Sequence, residues 1–140
     1  MYKEILQFLK EEITELGFTN ISVGERDWDK ILSINKPMVE LLPGSGTRSA
    51  YSLGGPAKEN WAVELTLARK GLATNSETLE YQNLDDMTTI IGYFKNLSTT
   101  ISNQRVAFSV SKFDADRVLT DKQEFYLIGF VVIIDVQFIK

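Results

Sequence analysis

The chain has 140 residues, 15 Lys+Arg against 19 Asp+Glu, a formal net charge of -4, and neither His nor Cys. That length suits one domain, and 44% hydrophobic with 11% aromatic residues is too apolar for intrinsic disorder or a coiled coil. Without His or Cys there is no Ser-His-Asp triad, thiol nucleophile, disulfide framework or zinc site of the usual donor set, so any acid–base chemistry falls to carboxylates, Lys and Tyr.

The first expected element is a helix over residues 2–16. Tyr2, Ile5, Leu6, Leu9, Ile13 and Leu16 recur at three- and four-residue steps, and Gly17 stands where a left-handed cap belongs. Residues 18–36 show no clear period and hold the charged, aromatic run around Trp28. Pro37 opens a short strand over 38–42, closed by Pro43 and Gly44. Residues 44–59, with Gly44, Gly46, Gly54, Gly55 and Pro56 among several Ser and Thr, read as one long loop, with Tyr51 and Leu53 as a brief strand inside it. Trp61, Val63, Leu65 and Leu67 then alternate with Ala62, Glu64, Thr66 and Ala68 in a strand that Gly71 ends.

A second helix is expected over 84–101, with Leu84, Met87, Ile91, Phe94, Leu97 and Ile101 on one face. Asn83, Asp85 and Asp86 would cap it and complement its dipole. Val106, Phe108 and Val110 mark the next strand, followed by a turn region over 114–122. A last strand covers 124–139. Its first half, 125–134, is apolar on both sides apart from Gly129 and calls for two covers. Beyond it Asp135 and Gln137 give one wet face. The expected fold is a single α+β domain over residues 1–140, a mainly antiparallel or mixed sheet flanked by two amphipathic helices in the order α-β-β-α-β-β.

No motif carries chemistry by itself. The glycines at 44 and 46 lack the spacing of a phosphate loop and no helix pattern follows them. Asp114 and Asp116 resemble the start of a calcium loop, but Val118 and Leu119 occupy later positions that need an oxygen ligand and a glycine. Asp27, Asp29, Glu40 and Glu64 are the candidate carboxylates for hydrolysis, and no spacing singles out a pair. The closest approach to a basic cluster is Arg69-Lys70, read as two solvated charges at a strand end, so no specific nucleic-acid binding is expected. The N-terminus lacks the pattern of a signal peptide, and no run reaches the ~18 apolar residues of a membrane span.

The order of elements resembles the tail-terminator and head–tail joining (minor tail) proteins of tailed bacteriophages and prophages. The residues that carry the likeness are the first helix ending at Leu16-Gly17-Phe18, the strand after Pro37 over 38–42, the Gly-rich stretch, the strand around Trp61, the second helix and the C-terminal strands. The resemblance implies a structural protein with no catalytic residue, no cofactor and no metal, whose copies form a ring. It implies tail-tube or head-connector proteins as further partners and no membrane. Its place would be the bacterial host cytoplasm during assembly and then the virion tail. Arg48, Tyr51, Leu53 and Trp61, in or beside the Gly-rich stretch, are the expected subunit or partner contacts. The alternative is a small-molecule- or peptide-binding α+β module whose pocket lies between the sheet and residues 44–59, using Arg48, Tyr51 and Trp61. A carboxylate enzyme ranks third.

Overall fold

The structure, a computed structural model, describes residues 1–25, 36–50, 57–121 and 125–139. Two helices and six strands follow in the order α1 (Tyr2–Glu15), β1 (Ile21–Val23), β2 (Met38–Ala50), β3 (Ala57–Leu72), α2 (Ser76–Phe94), β4 (Leu97–Ile101), β5 (Gln104–Asp121) and β6 (Phe125–Ile139). The strands form one sheet in the order β1-β2-β3-β6-β5-β4. Every neighbouring pair is antiparallel except β1 with β2. The α+β class expected from the sequence is therefore the class observed, with two more strands, β1 and β4, than the pattern suggested.

The first helix forms as its periodicity demands. Ile5, Leu9 and Ile13 are buried, with Leu6 and Leu16 packed at their margin. Gly17 adopts φ 106. Its N–H bonds the carbonyl of Thr14 at 3.0 Å while Phe18 N–H reaches Ile13 O at 3.2 Å, a Schellman closure that satisfies two terminal carbonyls. Phe18, buried behind that turn, fixes the exit of the chain.

Both helices pack on one face of the sheet. Its core joins Ile5, Leu9 and Ile13 of α1 to Met87, Ile90 and Phe94 of α2 over Val39, Leu41, Val63, Leu65, Leu67, Val106, Phe108, Val132, Ile134, Val136 and Phe138. The alternation expected of β3 and the end of β6 is borne out, since Trp61, Val63, Leu65 and Leu67 are buried and Gln137 is exposed. On the second face Val131 and Ile133 are half-buried, while Met38, Glu40 and Ala68 are buried. The double cover expected over residues 125–134 is thus incomplete at Val131 and Ile133.

Three expectations are corrected. Residues 44–50 and 57–59 are not a loop: they are the ends of β2 and β3, paired from Gly46 with Trp61 to Ala50 with Ala57. The glycines mislead because they serve a β-bulge between Pro43 and Gly46. A Cβ on Gly44 would lie 2.8 Å from the Ala62 carbonyl oxygen. Likewise residues 114–121 are not a turn but the second half of β5, paired with 125–131 of β6. The second helix begins eight residues earlier than expected and ends at Phe94. Its buried face is Leu79, Asn83, Met87, Ile90 and Phe94, while Leu84 is exposed and Leu97 and Ile101 belong to β4. Ser102 and Asn103, both with positive φ (50 and 64), then make the two-residue turn into β5.

Candidate functional site

Trp61 anchors one end of the sheet. Its indole Nε1 donates to Gly44 O at 3.1 Å, and Tyr2 packs edge-on against both Trp61 and Phe138, with ring centroids 4.9 and 5.5 Å away. At 8% exposure Trp61 is largely spent on the interior. Arg48 sits beside it on β2, 64% exposed, its Nε 3.5 Å from the buried carboxylate of Glu59. Tyr2, Gly46, Thr47, Arg48, Glu59 and Trp61 line a shallow depression of ≈ 400 Å³ open to solvent. Tyr51 and Leu53, the other expected contacts, lie outside the described residues. Of the stretch expected to wall the binding-module pocket, residues 46–50 and 57–59 are paired into the sheet, and 51–56 lie outside the described residues.

The candidate carboxylates do not converge. Glu40 is buried on β2, Glu64 is exposed on β3 opposite Leu42, and Asp27 and Asp29 lie outside the described residues. Among the described residues no group of three or more acidic side chains could hold a metal ion. Asp86, expected as a helix cap, instead lies inside α2 and binds Arg69 of β3, its Oδ2 2.7 Å from Nη2 and 3.1 Å from Nε. Side-chain exposures of 11% and 19% make this a partly buried, charge-assisted pair, so Arg69 is not the solvated charge expected. Asp85 is exposed mid-helix and Asn83 is fully buried, so the cap reading fails for all three; Asn75 holds the N-cap position.

Whereas that pair ties α2 to β3, another polar link joins the two helices to each other. The phenol of Tyr93 on α2 donates to Glu12 on α1, which together with burial pushes the Tyr93 hydroxyl up to about 12. Elsewhere the Met1 ammonium, 2.8 Å from Glu4, holds that carboxyl below its ordinary range.

What remains most available is the perimeter of the sheet. The short β1 pairs only with 39–41 of β2, and the short β4 only with 104–108 of β5. Among the described residues nothing pairs with the outer side of β2 over 42–50 or of β5 over 109–121. Residues 43–48 are exposed along the first stretch, and Phe113 is 55% exposed on the second. These unfinished edges were not legible in the sequence, because their extent depends on where β1 and β4 stop.

No protein-family model matches the sequence, and no curated protein is similar to it. Among solved structures, the chain is similar to one in the virion of a native gene transfer agent particle, with 12% identity, a TM-score of 0.49, and coverage of 93% of this chain and 90% of that one.

Proposed function

We propose that this protein is a structural subunit of a phage-like particle, a tail-terminator or head–tail joining protein that forms a ring by self-association. The observation that carries the reading is the pair of half-finished sheet edges. They lie on different strands, β2 and β5, on opposite sides of the sheet. Free strand edges are templates for pairing, and a surface that joins one edge to a different edge makes a heterologous contact, the kind that closes rings. The order of elements that resembles the tail-terminator family supports the same reading. Tail-tube or head-connector proteins are the further partners in this proposal, and no residue performs a chemical step.

Sedimentation velocity over a wide protein concentration range tests it. The expected result is a concentration-dependent species larger than a dimer, with ring-shaped particles in negative stain. Sedimentation as a monomer throughout contradicts self-association as the basis of function.

A further inference from the structure

Resting on the ring reading, the topology specifies how neighbouring copies meet. In the frame of the sheet, β1 covers the outer side of β2 only near the start of that strand, and β4 covers β5 only near its own start. Because β2 and β5 run in opposite directions, those two short strands sit at opposite corners. Among the described residues each side of the sheet therefore has one step out and one recess. A second copy set alongside without vertical shift brings the step of one side into the recess of the other.

The rows of the sheet show that the steps match. Val23 of β1 stands opposite Leu41, Leu41 opposite Leu65, Leu65 opposite Val132, and Val132 opposite Phe113 of β5. Val23 and Phe113 are thus the two ends of a single row, on the helix-bearing face, at opposite margins of the molecule. Both are large apolar side chains left in water, 48% and 55% exposed. A second row also runs from margin to margin: Gly46 stands opposite Trp61, Trp61 opposite Val136, Val136 opposite Phe108, and Phe108 opposite the half-buried Leu97 of β4. The backbone of β1 is suitably aimed. Val39 N–H bonds Asn20 O and Gly24 N–H bonds Leu41 O, both at 2.9 Å, so residues of that parity face β2. The intervening amides of Ile21 and Val23 face the outside.

We propose that the ring is built by sheet continuation between copies of this chain: β1 of one copy pairs antiparallel with β5 of the next around Phe113, and β4 of that next copy pairs parallel with the outer side of β2 over 46–50. Val23 then packs directly on Phe113 of the neighbour, as a cross-strand apolar pair on one face. The polar side chains of Thr47 and Ser98, which share the adjacent row, meet at the second step.

The absence of cysteine makes the test clean, since any disulfide is an introduced one. Directly opposed cross-strand residues lie about 4.5–5.5 Å apart at Cα, within disulfide reach. The Val23→Cys, Phe113→Cys double variant, oxidised under conditions where the oligomer is populated, should run as a covalent ladder or closed ring on a non-reducing gel. A mixture of the two single variants should give a cross-linked pair. Tyr81→Cys with Phe113→Cys, one site exposed on α2, is the control expected to give no specific ladder. A second variant, Phe113→Asp, should keep the thermal unfolding of the subunit and move assembly to at least about tenfold higher concentration. If the wild-type oligomer forms but the Val23 and Phe113 cysteines never link, or Phe113→Asp assembles unchanged, the junction lies elsewhere and the ring reading survives alone. If no oligomer forms at all, the ring reading fails and takes the junction with it.

Discussion

The Tyr93 phenol shows how one side chain ties together elements that the sequence keeps 81 positions apart. Its hydroxyl is raised from 10.0 to about 12, so the unfolded chain loses that proton first. The stability this bond adds is fully present below pH 10 and is lost as pH rises from 10 to about 12. Tyr93→Phe should therefore cost on the order of 1 kcal/mol near neutral pH. The gap between variant and wild type should narrow across that alkaline window, as read by urea unfolding at several pH values. Phe94, its neighbour in sequence, closes α2 and is fully buried against Phe108 of β5. Phe94→Ala should lose about 3–5 kcal/mol, and a loss below about 1 would contradict its place in the core. The Arg69–Asp86 pair is a third case. Asp86→Asn removes the negative charge that a largely buried guanidinium faces at 2.7 Å and should cost about 1.5–3 kcal/mol, whereas loss of a helix cap would be repaired by Asn, itself a good cap.

At the scale of elements, what was legible followed from uninterrupted periodicity. Helix α1 shows six apolar residues at helical steps and a glycine at its end, and both are found where the pattern places them. Strand β3 shows strict alternation over residues 61–67 and is found so. The errors share a cause, a local signal serving a tertiary purpose. Gly44 and Gly46 read as loop residues, yet they let β2 cross close over the Ala62 and Asn60 carbonyls at a bulge. Asn83 interrupts the apolar stripe of α2, so the pattern starts the helix too late and counts Leu84 on its inner face, while Met87 and Phe94 are buried where the pattern places them. Asp114 and Asp116 read as a turn because nothing local reveals that β6 runs alongside them. Gly44→Ala should then destabilise by about 1–3 kcal/mol through its clash with the Ala62 carbonyl, not the near-zero cost of a loop site. Chemical denaturation of the purified variant distinguishes the two.

For the whole molecule, composition and element order were enough to reach an α+β chain with a helix-covered sheet, because buried alternation in strands and amphipathic stripes in helices admit few other layerings. The site was much less legible. Of the four expected contacts, Trp61 is turned mostly inward, Arg48 is exposed beside it, and Tyr51 and Leu53 lie outside the described residues. The surface that best supports assembly, the stepped edges ending in Val23 and Phe113, is a property of pairing register and exists only once the strands are aligned. Two different edges on one subunit favour a head-to-tail arrangement over a symmetric dimer. Native mass spectrometry of the intact protein across increasing concentration tests this most directly. The expected result is one dominant closed oligomer larger than a dimer, gaining population as concentration rises. A chain that remains monomeric, or stops at a two-fold dimer, over the same range would contradict it.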